Sequence, residues 1–217
     1  MIESIVKDGG PLIVGFSGRA GAGKDTAAAG LFEAFGTGAA TLPFWWARRS
    51  IAQSLKDLAA DEFGWDGAKD ERGRRLLQGI GQAARDYDPE FWLRKVELRQ
   101  RFDDGPKLAG RANMGPWVSV ITDLRYYNEA AYFHDLAQKT GGEFLEIHIE
   151  RLSLGPATDS HPSENELALP VSKRAVSPTW PVEELWNGNE DSVLDKGEFQ
   201  GIVRRKVRQF FVEAGVL

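Results

Sequence analysis

Residues 11–26 read PLIVGFSGRAGAGKDT, and this stretch decides the fold class. Its first part, residues 11–17, is a short apolar run of the kind that forms a buried parallel strand. Residues 18–24 then fit the pattern G-x-x-x-x-G-K, in which a glycine-rich turn opens a helix. Backbone N–H groups of such a turn surround a phosphate, and the helix N-terminus adds a partial positive charge. The sequence therefore predicts a phosphate-binding loop between a strand and a helix.

Lys24 and the two residues after it carry the polar side chains of this turn. In loops of this pattern the lysine reaches the β- and γ-phosphates of ATP or a similar nucleotide. Asp25 stands where the common pattern has Ser or Thr, and Thr26 follows it. A carboxylate beside a triphosphate is repelled unless Mg²⁺ or an acceptor hydroxyl offsets its charge. We therefore expect Asp25 to hold the metal, directly or through water, or to orient the acceptor, with Thr26 as a second oxygen.

The rest of the chain alternates predicted strands and helices. Buried strands are expected at residues 117–122, 143–150 and 182–186. Residues 103–115 and 154–176 show no periodicity and are predicted to be loops, the second of them mobile. The alternation indicates an α/β fold with a parallel sheet covered by helices on both faces. Helices are expected at residues 24–35, 47–63, 71–85, 88–101 and 128–139, and in a C-terminal segment with Phe199, Ile202, Val203, Val207, Phe210 and Phe211 on its apolar face.

Composition excludes several classes of protein. The chain has 217 residues, the length of one α/β domain. Its formal net charge is −5, whereas proteins that wrap duplex DNA usually carry a basic surplus, so we expect no nucleic acid polymer as a partner. Arginines clustered locally within an acidic chain favour a small anionic ligand. The absence of cysteine excludes disulfides and thiolate zinc sites.

Sequence features also bear on location. No run of eighteen apolar residues is present, so no membrane association is expected. The first ten residues, MIESIVKDGG, contain two acids and no apolar core, so they do not resemble a secretion signal. A cytoplasmic location is the expectation. The oligomeric state stays open, with a homodimer as one option.

Asp123 and Arg125 follow the predicted strand at residues 117–122. Open α/β sheets place ligands at the carboxyl ends of their strands, and an Asp at this point organises magnesium in P-loop enzymes. The alternative is that Asp123 merely caps the next helix. Arg125 would face the same crevice, where a guanidinium binds phosphate through two donors or neutralises charge on the transferring group.

Five segments together resemble a known family. They are GRAGAGKDT, SIAQSLKDLAADEFGW, RRLLQGIGQAARDYDPEFW, ITDLRYYNEA and DSHPSENEL, in that order. The sequence is similar in these motifs, from about residue 11 to residue 187, to the deoxynucleoside monophosphate kinases of phages and prophages. Gln53 and Ser54 replace that family's usual Asp/Pro pair, and Tyr126 stands where Phe is usual.

The resemblance implies a single P-loop NTPase domain over residues 1–217, with a helical acceptor-binding insertion at about 41–101 and a lid at about 151–176. It implies direct in-line transfer of the γ-phosphate from ATP to a deoxynucleoside monophosphate. Asp25 and Asp123 would organise Mg²⁺, and Arg151 would lie against the donor adenine. The ATP phosphates would be held by Gly18, Gly21, Ala22, Gly23, Lys24 and Thr26, and the acceptor phosphate by Lys56, Arg85, Arg94 and Arg125.

Two other functions stay open. The GKD loop and residues 85–95 (RDYDPEFWLRK) also resemble animal phosphomevalonate kinase, a relative with the same fold. A nucleotide-binding module without a small acceptor, such as a regulatory ATPase, would share the loop but would not need arginines at positions 85, 94 and 125. Several residues have simpler structural explanations: residues 163–166 (SENE) fit a capping box, and Trp45, Trp46, Trp65 and Trp92 either stack on a base or pack in the core.

Overall fold

The computed structural model describes residues 11–36, 45–68, 70–97, 117–154, 166–167, 169, 172, 178–189 and 192–213, with backbone alone at 34–36, 45 and 117. The chain divides into two compact units. The first comprises Met1–Arg48 and Met114–Leu217, and the second comprises Arg49–Asn113.

Strands and helices alternate along the chain. The strands are β1 (Leu12–Ser17), β2 (Trp45–Arg49), β3 (Trp117–Ile121), β4 (Glu143–Glu150) and β5 (Val182–Trp186). The helices are α1 (Lys24–Gly36), α2 (Ile51–Phe63), α3 (Glu71–Tyr87), α4 (residues 91–97), α5 (Tyr127–Lys139) and α6 (Lys196–Glu213). A short 3₁₀ turn, Leu152–Leu154, follows β4.

The first unit is built on a five-stranded parallel sheet with the strand order β2-β3-β1-β4-β5. Strand β1 lies at its centre: Leu12 pairs with Val118 of β3 on one side and with Glu143 of β4 on the other. The chain therefore crosses from β1 to an edge and returns, which creates a crevice at the carboxyl end of β1. This order, with a glycine-rich turn after the first strand, is typical of the P-loop kinase fold. The predicted fold class is confirmed.

Helices cover both faces of the sheet. Because side chains alternate along a strand, Val14 and Phe16 of β1 share one face with Leu145, Ile147 and Ile149 of β4. That face packs against α1 and α6, which contribute Leu31, Phe199, Val203, Val207 and Phe211 to a common core. Phe144 of β4 points to the other face, where its ring contacts His134 of α5. The predicted amphipathic C-terminal helix is confirmed, with its apolar face inside this core.

The second unit contains α2, α3 and α4. Helix α2 buries Ile51, Leu55 and Ala59 and ends at Gly64 in the left-handed conformation, with φ of 64°. Helix α3 begins where the Asp70 carboxylate accepts a hydrogen bond from the N–H of Gly73 at 2.7 Å. Trp92 of α4 is buried and donates its indole N–H to the carbonyl of Gly81. Trp92 therefore packs in a core, which was one of the two roles considered for it, the other being to stack on a base.

One predicted helix is wrong at its start. Residues 47–49 were expected to open a helix through residue 63, but Trp45–Arg49 forms β2 and the helix begins at Ile51. Ser50, in an extended conformation, separates the two elements. Pairing within the sheet overrides a local pattern that is too short to separate strand from helix. The predicted loop at 103–115 and most of the segment at 154–176 lie outside the described residues.

Among the described residues, no helix is both long and apolar enough to cross a membrane.

Candidate functional site

The glycine-rich turn joins the central strand to α1, as predicted. Gly18, Gly21 and Gly23 have positive φ angles of 124°, 80° and 110°, a backbone region that side chains strongly disfavour. Gly18 also has no room for a side chain, because a Cβ there would lie 2.3 Å from the carbonyl oxygen of Ile149 on β4. The turn therefore requires glycine for its backbone conformation and for its contact with the neighbouring strand.

Donors from three parts of the chain bind the carbonyl groups of this turn. The Lys24 ammonium donates to the carbonyls of Gly18 at 2.5 Å and Arg19 at 2.8 Å. The Arg151 guanidinium donates to the Gly21 carbonyl at 3.0 Å. The Asn187 side-chain amide donates to the Ala22 carbonyl at 2.8 Å. We call Lys24, Arg151 and Asn187 the carbonyl anchors of the loop.

Carbonyl anchors matter because a peptide group points its C=O and N–H in opposite directions. A loop that offers N–H groups to an anion must turn carbonyls away from it, and those carbonyls need donors of their own. The first N–H groups of α1 have no acceptor within the helix and add to the same positive potential. Ala22 differs from this scheme, since its N–H donates to the Arg19 carbonyl at 3.1 Å. The arrangement can bind a phosphate group.

Asp25 lies at the exposed start of α1. Its carboxylate is 3.5 Å from the guanidinium of Arg48, and both side chains are largely exposed. Arg48 also lies over the Phe32 ring, 5.4 Å from its centroid, and Phe32 stacks on Trp46. Arg48 is therefore held along α1 with its charge beside the loop. The sequence did not indicate this position, because residues 47–63 were assigned to a helix.

Asp123 and Arg125 are placed beside the strand that enters the loop. Between them, the N–H of Leu124 donates to the Phe16 carbonyl of β1 at 3.0 Å. Helix α5 has Tyr126 as its N-cap, and the buried Glu129 carboxylate accepts from the N–H groups of Arg125 and Tyr126. The N-cap position of α5 is therefore occupied by Tyr126, three residues after Asp123.

Residues 166 and 167 bind the main chain around Arg125. The Glu166 carboxylate accepts from the N–H of Tyr127 at 2.9 Å, and the N–H of Leu167 donates to the Arg125 carbonyl at 3.2 Å. The sequence had assigned Glu166 to a capping box with Ser163, which lies outside the described residues. The described contact of Glu166 is with the first turn of α5. Glu166 and Leu167, which belong to the predicted lid segment, therefore contact the main chain at and beside Arg125, the residue expected to bind phosphate.

Lys56, Arg85 and Arg94, the other residues predicted for the acceptor phosphate, all lie in the second unit. Lys56 is half-buried on α2, and Arg85 is half-buried in the last turn of α3. Arg94 forms ion pairs with Asp88 and with Glu90, the latter at 3.2 Å. A phosphate that bound Arg94 would have to replace these carboxylates. Their role in acceptor binding stays a prediction.

Mg²⁺ would need few protein ligands in a phosphate site of this kind. Mg²⁺ usually keeps several waters and is bound by one or two carboxylates together with substrate phosphates. Asp25 in the first turn of α1 and Asp123, two residues after β3, are carboxylates of that kind, and the Thr26 hydroxyl offers a further oxygen. In the part of the chain that the structure describes, no group of three or more His, Cys, Asp or Glu residues could hold a metal by itself. Bound phosphates would therefore supply the remaining ligands.

A buried polar chain below the loop was missed by the sequence. The Ser17 hydroxyl donates to Glu146 at 2.5 Å and lies 2.9 Å from Nδ1 of His148, whose Nε2 is 2.7 Å from Glu150. The other Glu146 oxygen accepts from the indole of Trp180 at 2.8 Å. Ser17, Glu146 and His148 are completely buried. The sequence signal that could have revealed this chain is the alternation E-x-H-x-E at residues 146–150. It places three polar side chains on one face of a strand that was expected to be covered by helices on both faces.

Comparison with known proteins does not assign a family. No protein-family model matches the chain. The chain is 28% identical over 173 residues to the "Uncharacterized protein ORF76" of Ictalurid herpesvirus 1 (strain Auburn), a match over 76% of this chain. The chain spans 60% of the length of that viral protein.

Two solved structures are similar over most of their length. A "putative kinase" from Chloroflexus aurantiacus has 12% identity and a TM-score of 0.43, with 92% of this chain and 97% of that chain covered. The protein APE1195 has 16% identity and a TM-score of 0.37, with 91% and 97% covered. At these values neither structure adds to what the strand order and the loop geometry show.

Proposed function

We propose that this protein transfers the γ-phosphoryl group of ATP to a deoxynucleoside monophosphate. The observation that carries the proposal is the loop between β1 and α1, with three glycines at positive φ and carbonyls bound by Lys24, Arg151 and Asn187. The motifs around residues 121–130 and 159–167 support the deoxynucleotide acceptor by their resemblance to the phage enzymes.

The chain's own residues would act mainly by position and charge. The Lys24 ammonium, now bound to loop carbonyls, would reach the β- and γ-phosphates and stabilise charge in the transition state. Asp25, Thr26 and Asp123 would hold Mg²⁺, which would neutralise negative charge on the phosphates. The N–H and the carbonyl of Arg125 are both hydrogen-bonded, which holds its main chain in place, and its guanidinium would bind the phosphate during transfer. In-line transfer needs little covalent chemistry from the protein.

A panel of acceptors tests the proposal. Purified protein is given ATP and Mg²⁺ with each deoxynucleoside monophosphate, each ribonucleotide counterpart, mevalonate 5-phosphate, or no acceptor, and ADP formation is followed. We expect ADP to form with at least one deoxynucleoside monophosphate, with the matching diphosphate as product. If equal amounts of ADP form with and without an acceptor, the protein is an ATPase. If ADP forms with mevalonate 5-phosphate alone, the protein is a phosphomevalonate kinase. Either result refutes the proposal.

Lys24→Met provides the control for contaminating kinases. The substitution removes the ammonium and keeps an unbranched side chain that is one atom shorter. Activity that persists in this variant would come from another protein in the preparation.

A further inference from the structure

Asn187 follows β5 directly and contacts the phosphate loop from 165 residues away in sequence. Its side-chain amide donates to the Ala22 carbonyl at 2.8 Å, and its backbone N–H donates to the Glu150 carbonyl of β4 at 2.7 Å. The residue is 5% exposed. Asn187 is thus fixed through its main chain to the sheet and through its side chain to the loop.

The orientation of this amide is determined by its partner. Turning the group by 180° would bring Oδ1 against the Ala22 carbonyl oxygen, and two acceptors repel. In the observed orientation Oδ1 is buried, and no donor in the described part of the chain reaches it. A buried acceptor without a partner destabilises a fold. The hydrogen bond to the Ala22 carbonyl is therefore the contact through which this buried amide can act.

Close packing fixes the contact on the loop side as well. Gly23 has a φ of 110°, and a Cβ at this residue would lie 2.6 Å from the Asn187 amide nitrogen. The loop backbone and the amide therefore approach as closely as a glycine allows. A side chain at position 23 would therefore displace the amide from its contact with Ala22.

We propose that Asn187 is a positioning residue that aims the Gly23 N–H at the bound phosphate. The Ala22 carbonyl and the Gly23 N–H belong to one peptide plane and point in opposite directions. By holding the carbonyl away from the crevice, the amide turns the N–H toward it. Asn187 acts through this peptide plane and does not itself touch the nucleotide. The inference rests on the proposed function, since it takes a phosphate as the ligand of the loop.

Two buried amides allow a matched test. Gln200 of α6 is 4% exposed and donates its amide to the Thr26 carbonyl at 3.2 Å, one turn beyond the loop. Asn187→Ala and Gln200→Ala each remove one buried amide that binds a carbonyl, but Asn187 alone binds the loop. ADP and inorganic pyrophosphate affinities are measured by calorimetry, and stability is measured by thermal unfolding.

We expect Asn187→Ala to weaken ADP binding by about fivefold or more, the scale of one lost orienting hydrogen bond. Gln200→Ala should stay within about twofold of wild type in ADP affinity, even where its Tm falls. A structural role for Asn187 predicts the reverse, a lower Tm with unchanged ADP affinity, and that result would overturn the inference.

A second variant at position 187 and the binding of ADP and pyrophosphate to wild type separate the remaining outcomes. If Asn187→Ala does not fold, Asn187→Asp replaces it. This variant keeps the shape but sets a carboxylate oxygen against the Ala22 carbonyl, so it should bind ADP at least as weakly; ADP affinity within about twofold of wild type would again refute the inference. If wild type binds neither ADP nor pyrophosphate, the proposed function has failed and the inference falls with it.

Discussion

The buried chain of Ser17, His148 and Glu150 gives a sharp test of what stabilises the sheet. His148→Phe keeps a ring of similar size but removes both ring nitrogens. The 2.7 Å contact to Glu150 and the 2.9 Å contact to Ser17 are lost, and the Glu150 carboxylate stays in a site that is 9% exposed. Removing one partner of a buried hydrogen bond costs about 1–3 kcal/mol. For a chain of this size, each kcal/mol lowers Tm by roughly 2–4 °C. We therefore expect a fall of roughly 2–12 °C.

A second substitution separates the orphaned carboxylate from lost packing. Glu150→Gln in the His148→Phe background removes the carboxylate that has no partner, so part of the lost stability should return. The two substitutions should be non-additive by about 0.5–3 kcal/mol in a double-mutant cycle. Urea denaturation followed by circular dichroism measures each variant.

His134→Phe is the matched control. His134 packs against the Phe144 and Trp180 rings on the same face of the sheet, and it has no part in the polar chain. Its substitution should cost less than about 1 kcal/mol. The reasoning is refuted if His148→Phe costs no more than this control, or if the two substitutions at positions 148 and 150 are strictly additive.

Four further predictions concern the site and the pH dependence of stability. Lys24→Met should reduce turnover by at least about a hundredfold, because the ammonium stabilises charge that develops on the phosphates; circular dichroism should show an intact fold. Asp25→Asn should weaken the magnesium dependence of turnover more than Thr26→Ala does, and equal small effects in a magnesium titration would leave Asp25 as a helix N-terminal acid. Arg125→Lys should lower kcat and leave ATP affinity unchanged, because lysine lacks the planar pair of donors; a raised KM for the monophosphate with unchanged kcat would make Arg125 an acceptor anchor instead. Burial raises the pKa of Glu143, which His134 partly opposes, so ionisation of Glu143 costs stability as pH rises above about 4.5; Glu143→Gln should raise Tm at pH 7 and not at pH 4, and equal effects at both pH values would contradict this.

The elements that the sequence predicted are those with a local signal. The apolar run before Gly18 and the turn chemistry after it predict β1, the loop and α1. The alternation of Leu145, Ile147 and Ile149 predicts β4, and Phe199 to Phe211 predict α6 through a repeated 3.6-residue spacing. These patterns need no knowledge of the partner element.

The features that the sequence did not predict depend on distant partners. Trp45–Arg49 becomes a strand through its place beside β3, and five residues carry too little periodicity to show it. Arg48 could be placed beside Asp25 only once that strand was known. Asn187 is a single polar residue after a strand, and nothing nearby marks its contact with Ala22. The Ser17–His148 contact joins residues 131 positions apart.

The carbonyl anchors also have a consequence for the entropy of binding. Restricting the backbone of one residue costs about 1–2 kcal/mol of conformational entropy at 25 °C. If the loop became ordered only when it bound its ligand, this cost would reduce the favourable free energy of binding for every residue that became ordered. Arg151 and Asn187 hold loop carbonyls through contacts within the protein, so the loop can become ordered during folding. The affinity for a phosphate would then equal the intrinsic affinity of the formed loop, without a reduction for molecules whose loop is unformed.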